Sequence, residues 1–124
     1  MDEEAIGKLV LDSAYKVHTT LGPGLLESAY ESCMAHELSK QVSVARQLIL
    51  PIEYDGIRLD AGYRVDLLVA DKIIVELKAV ERINDVHFAQ VLSYLKLSGC
   101  RLGYLLNFNV RSMKHGIKRV VNNT

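Results

Sequence analysis

The sequence predicts a mixed α/β protein of α+β order, with helices flanking one mixed β-sheet, and three observations carry that prediction. Apolar residues recur at helical spacing through the first third of the chain. Strict alternation replaces that spacing between 64 and 78, and helical spacing then returns over 84–98 ahead of a nearly continuous apolar run. At 124 residues, 49% hydrophobic and 24% charged, the chain has the material for one core and reads as a single domain over 1–124.

The elements follow in order. Asp2 is a natural N-cap for a helix from Glu3 to about Thr19, whose inward face is Ile6, Leu9, Val10, Ala14 and Val17. Gly22-Pro23-Gly24 ends it, and a second helix over Leu25 to Ser39 is expected to bury Leu26, Ala29, Cys33 and Leu38. Arg46 to Tyr54 reads as a strand, with Pro51 marking an edge position or a bulge, and Tyr54-Asp55-Gly56 as a turn. Two alternating runs come next. Asn84 to Ser98 forms a helix with the stripe Phe88, Val91, Leu92 and Leu95, stopped by Gly99. Arg101 to Phe108 should be a central strand, Ile117 to Val121 a last short one, and 122–124 a frayed end. The predicted order is helix, helix, three strands, helix, and one or two strands.

The two alternating runs are the most informative part of the chain. Val65, Leu67 and Val69 share one face of the first, and Ile73, Val75 and Leu77 share one face of the second. If both sets enter one core, the runs pair with Val69 opposite Ile73, Leu67 opposite Val75 and Val65 opposite Leu77, across the three-residue loop Ala70-Asp71-Lys72. That register places Asp66 across from Glu76 with Cβ atoms about 5 Å apart, where two carboxylates repel by roughly 3 kcal/mol at an effective dielectric near 20. A divalent cation with oxygen ligands would relieve the repulsion. Lys78, two residues along the same face, could then hold a phosphate oxygen or an attacking water. The same residues also fit a solvated sheet face whose charges only keep the hairpin soluble.

Two helical constellations add candidates. Gly24, Glu27 and Tyr30 fall at i, i+3 and i+6, with Glu31 beside them. Glu27 either favours a helix N-terminus electrostatically or reaches the acid pair as a further ligand or water-positioning group, with Tyr30 one turn on. His87, Gln90 and Tyr94 form a polar stripe suited to lining a groove, where Gln and Tyr can bond phosphate, Tyr can stack on a base, and His87 can contact substrate or move a proton.

Charge and composition exclude several classes. The net charge is zero, which argues against binding nucleic acid by bulk electrostatics. Its distribution is uneven: residues 101–124 hold Arg101, Arg111, Lys114, Lys118 and Arg119 and no acid, a segment that could track a phosphate backbone or be an ordinary solvated face. No apolar run reaches the length of a membrane span and the start of the chain is acidic, so a cytoplasmic protein with no membrane partner is expected. Cys33 and Cys100 lack CxxC partners and read as buried, reduced thiols.

With those residues assembled, the chain resembles the GxxExxY protein family, a branch of the PD-(D/E)xK nuclease superfamily. The resemblance rests on Gly24-Leu25-Leu26-Glu27-Ser28-Ala29-Tyr30, Gly62-Tyr63-Arg64-Val65-Asp66-Leu67-Leu68, Val75-Glu76-Leu77-Lys78, and His87-Phe88-Ala89-Gln90 to Tyr94. Leu106-Asn107-Phe108 and Gly116-Ile117-Lys118-Arg119-Val120 extend it over nearly the whole chain. It implies a restriction-endonuclease-like core in which Asp66 and Glu76 hold Mg2+ or Mn2+, the Leu77 carbonyl completes the metal shell, and Lys78 orients or activates water. Glu27 would match the helical acid of some superfamily members, and Gln90 and Tyr94 the QxxxY motif of RecB-like and Cas4-like nucleases. Val65 stands where proline is common. The implied activity is cleavage of nucleic acid, DNA first, with a homodimer or partner protein supplying surface that so small a chain lacks. The alternative is a non-cleaving nucleic-acid-binding or assembly module that keeps the nuclease fold.

Overall fold

Asp2 starts the first helix as expected, its carboxylate accepting the Ala5 N–H at 2.8 Å. In the computed structural model, which describes residues 1–60 and 62–123, the elements are α1 (Glu3–Leu21), α2 (Glu27–Ser39), β1 (Val44–Ile49), β2 (Ile52–Tyr54), β3 (Ile57–Leu59), β4 (Arg64–Val69), β5 (Ile73–Lys78), α3 (Asp85–Ser98), β6 (Leu102–Asn107), a 3-10 turn at Met113–His115, and β7 (Ile117–Val121). Five strands form one sheet in the order β1-β4-β5-β6-β7. Only β5 and β6 are parallel, joined through α3, so the sheet is mixed and flanked by helices, as the sequence predicts.

The sheet has a core on each face. Under α1 and α2, Ile6, Val10, Val17, Tyr30, Met34 and Leu38 pack with Leu67, Val69, Ile73, Val75 and Leu77. Under α3, Val91, Tyr94 and Leu95 pack with Val65, Ile74, Leu105 and Val120. Gly103 sets the approach of α3. A Cβ there would meet Val91 Cγ1 at 3.1 Å and the Ile74 carbonyl oxygen at 3.2 Å, tighter than normal packing, so only glycine lets the helix sit this close.

Several expectations require correction. The strand over 46–54 is two strands: Pro51, which has no N–H to donate, interrupts it after β1. The turn at Asp55 and Gly56, both with positive φ (50° and 79°), then closes a separate β2–β3 hairpin. Leu26 is 77% exposed because α2 begins only at Glu27, and its buried face runs through Tyr30, Glu31, Met34, Ala35 and Leu38. On α3, Val91 and Leu95 are buried and Leu92 packs against them as expected, but Phe88 is exposed and Tyr94 takes its place in the core, on the side that Gly103 lets approach the sheet. Val65 is buried under α3 rather than with Leu67 and Val69. β6 is interior, paired on both sides, although β5 is the middle strand. Cys33 and Cys100 are free thiols, each half-buried. Of the expected frayed end, the Asn122 N–H donates to the Arg101 carbonyl at 2.8 Å, and Thr124 lies outside the described residues.

Candidate active site

β4 and β5 pair in the register that alternation predicts, Leu67–Val75, Leu68–Ile74 and Val69–Ile73, with Ala70 and Asp71 turning the loop at positive φ. One step further along, where Asp66 and Glu76 stand opposite by the same register, side chains replace the ladder. The Asp66 N–H donates to Glu76 Oε1 at 2.9 Å, and the Leu77 N–H donates to Asp66 Oδ2 at 2.9 Å. β4 is irregular here on its other side too. Its pairing with β1 runs Arg46–Leu67 and then Leu48–Val65, and between them Gln47 adopts a left-handed backbone with φ 52°. The alternation of β4 slips at this point, which is why Val65 faces the other core from Leu67.

Gln47 ties this break to α2. Its Nε2 donates to Asp66 Oδ1 at 3.3 Å and also to Glu31 Oε1. Glu31 is buried, and Arg46 offsets its charge with two hydrogen bonds to Oε2, at 2.9 and 3.2 Å. The far end of β5 is fixed from β6: the Phe108 N–H donates to the Lys78 carbonyl at 2.9 Å, and buried Asn107 bonds both the N–H and the carbonyl of Val80.

The electrostatics follow from burial and crowding. Glu76, only 4% exposed, has its carboxyl pushed up to about 8, first by burial and then by the charge of Asp66, with Lys78 acting in the opposite sense. Asp66 is also raised, chiefly by burial and further by Glu31, while the Leu77 N–H pulls it down. Two facing carboxylates of this kind share one proton at neutral pH and titrate as a unit. The Tyr94 hydroxyl is raised by burial first and then by the charges of Glu76 and Asp66.

The structure brings most of the candidate residues to this place and separates the others from it. Asp66, Glu76, Leu77 and Lys78 lie together, and Lys78 Nζ is 3.5 Å from Gln90 Oε1 on α3. Gln90 and Tyr94 line one cleft, the groove expected of them. Glu27 is exposed at the rim, where its Oε1 accepts the Ala79 N–H at 3.3 Å. It does not join the pair in a three-acid group: among the described residues no three His, Cys, Asp or Glu side chains are placed to hold one metal ion. Tyr30, expected to touch substrate, is instead fully buried. It stacks on Phe108 with centroids 4.5 Å apart, donates from its hydroxyl to the Gly22 carbonyl at 2.6 Å and accepts the Leu25 N–H at 3.1 Å, which leaves it no reach to a ligand. His87 closes a capping box, its Nδ1 accepting the Asn84 N–H at 3.2 Å, so helix capping accounts for that nitrogen. The basic end of the chain is not a single stripe. Lys118 pairs with Leu105 and Arg119 with Tyr104, so the two project on opposite faces of an edge strand.

Glu31, Gln47 and Asn107 were not foreseen as parts of the site. Glu31 had a local signal, an acid in helical phase with Ala35 and Leu38 and thus on the buried face. Gln47 had none, because its role depends on a backbone conformation set by pairing with β4.

The donor set fits a hard divalent cation. Mg2+ is commonly held by one or two carboxylates with water completing its shell, and Asp66 and Glu76 are two carboxylates kept together by the fold at the cost of a shared proton. Besides the Glu27 carboxylate at the rim, a further protein donor would be a backbone carbonyl. In an extended strand a residue's N–H and C=O point to the same side, so the Leu77 carbonyl faces the Asp66 side, to which its N–H already donates.

Among comparisons with known proteins, the family model of the PD-(D/E)XK nuclease superfamily matches residues 4–120. No curated protein matches the chain. No helix among the described residues is long and apolar enough to cross a membrane.

Proposed function

Because the chain belongs to the PD-(D/E)XK nuclease superfamily, we propose that it is a metal-dependent nuclease of the GxxExxY branch that hydrolyses phosphodiester bonds, those of DNA first, with Mg2+ or Mn2+ as cofactor. One observation carries the proposal: Asp66 and Glu76 face each other where the β4–β5 ladder gives way to side chains, beside Lys78. Asp66 and Glu76 would hold the cation, with the Leu77 carbonyl as a further donor. When bound, such a cation offsets negative charge gathering on the phosphate and makes water more acidic.

The remaining steps fall to the chain's own groups. The Lys78 ammonium, steadied by Gln90, donates to a phosphate oxygen or orients the water that attacks phosphorus. Tyr94, beside the acids, and Gln90 donate hydrogen bonds to the strand and fix its position. Glu27 stands at the rim as a group that would position water or serve as a further ligand.

The test is cleavage of labelled linear and circular, single- and double-stranded DNA and of RNA, with Mg2+ or Mn2+, by wild type and by Asp66→Ala, Glu76→Ala and Lys78→Ala. Metal-dependent cutting by wild type, lost in each folded variant, is the expected result. Retained cutting in a folded Asp66→Ala/Lys78→Ala double variant would remove the mechanism. Binding without cutting by wild type would make the chain a module that keeps the fold without the chemistry.

A further inference from the structure

A cleft of about 360 Å3 opens between the outer face of α3 and the wall formed by Ile52 and Tyr63. Val86, Ala89, Ser93 and Leu97 line it on the helix side, together with Gln90 and Tyr94. Position matters first: Gln90, one of the lining residues, has its Oε1 3.5 Å from Nζ of Lys78, the lysine beside the acidic pair. Chemistry comes second. Not one lining residue is charged, so the cleft suits an uncharged, flat, partly polar group rather than a phosphate. Its polar groups, the Gln90 amide and the Tyr63, Ser93 and Tyr94 hydroxyls, can bond the edges of such a group, while the exposed ring of Tyr63 offers a stacking surface.

Tyr63 and Val86 are exposed, at 44% and 75%. The wall is nevertheless held in place. The Tyr63 carbonyl accepts the Leu50 N–H at 2.9 Å, which closes the base of the β2–β3 hairpin against the main sheet.

We propose that this cleft receives an unpaired nucleobase of the strand being cut, so that the site selects single-stranded or unpaired nucleic acid over a duplex. The inference rests on the nuclease reading of Asp66 and Glu76 and goes beyond it by assigning the substrate's strandedness. A paired base presents its faces to its neighbours in the stack instead of to Tyr63, so the cleft can take only a base free of its partner.

The probe is a short oligodeoxynucleotide carrying 2-aminopurine, used single-stranded and annealed to its complement, first in EDTA and then with Mg2+. Wild type should quench the single strand on binding and leave the duplex unchanged. Tyr63→Ala should weaken single-strand binding by about 5-fold or more, the lower end of the effect of losing one base-stacking ring. Ser93→Trp, at an exposed helix position where folding is undisturbed, should fill the cleft and abolish quenching. With Mg2+, cutting should be confined to the single strand. Quenching without cutting would keep the cleft and overturn the nuclease reading. Cutting of duplex and single strand alike, or quenching unaffected by Ser93→Trp, would overturn the cleft and keep the nuclease. A change from dimer to monomer in Ser93→Trp by sedimentation, with no quenching in wild type, would show the cleft covered by a second copy and would also overturn the proposal.

Discussion

Replacing Glu76 with glutamine should change how the metal-free protein's stability depends on pH, and the size of the change can be worked out. The carboxyl loses its proton near 4.5 in the unfolded chain and near 8 in the folded one. The folded state therefore binds more protons between those values. The stability this contributes is fully present below about 4.5 and is lost as pH rises through about 8. The whole shift corresponds to about 5 kcal/mol at 1.36 kcal/mol per pH unit, of which about 2 kcal/mol is lost between pH 6 and pH 8. Asp66 is raised as well and acts in the same direction. Glutamine retains an oxygen for the Asp66 N–H and a donor for the Asp66 carboxylate but cannot ionise. Urea melts in EDTA at pH 6 and pH 8 should thus show wild type weakening by about 2 kcal/mol relative to Glu76→Gln. Parallel pH profiles for the two proteins, or a wild type that gains stability over this range, would refute the reasoning.

Three other expectations follow from the same site. Mn2+ should stabilise wild type more at pH 8 than at pH 6, because the cation must displace the proton the pair shares, and melting followed at both pH values checks this. Gln47→Ala should weaken Mn2+ binding by about 10-fold by calorimetry through the loss of its bond to Asp66, whereas Lys78→Ala should leave that affinity nearly intact while removing cleavage. Tyr30→Phe should cost about 1–2 kcal/mol in urea melts, by leaving the Gly22 carbonyl and the Leu25 N–H without their partner, with no change in the pH profile set by Glu76.

The parts of this molecule that sequence reveals are those governed by local periodicity. Alternation from Val65 to Lys78 contains the β4–β5 register, because only an odd loop places both apolar sets in one core, and Asn84 and Gly99 mark the two ends of α3 by their capping chemistry. What escapes is set by contacts between distant segments. Leu26 and Phe88 are apolar residues in plausible helical phase, yet the start of α2 at Glu27 and the space left by Gly103 decide which faces turn inward. Val65 departs from the alternation because the strand is distorted at Asp66. The same distortion recruits Gln47 and, through it, Glu31, so the site's supporting residues are hidden for the reason the site exists. Tyr30 carries the motif spacing of a functional residue but fastens the α1–α2 connection, as its two hydroxyl hydrogen bonds make plain.

The β2–β3 hairpin leaves the main sheet after Leu50 and rejoins it at Tyr63, with a single backbone bond between those two residues closing its base. The core is complete without it, since neither hydrophobic cluster draws a residue from Ile52 to Leu59. Such an appendage is free to drift in length and composition while the acids, the lysine and the sheet stay fixed. Exchange of residues 52–63 between related chains would then replace the Ile52 and Tyr63 wall of the cleft without rebuilding the core, a natural route by which one small scaffold diversifies and a practical one for redirecting it.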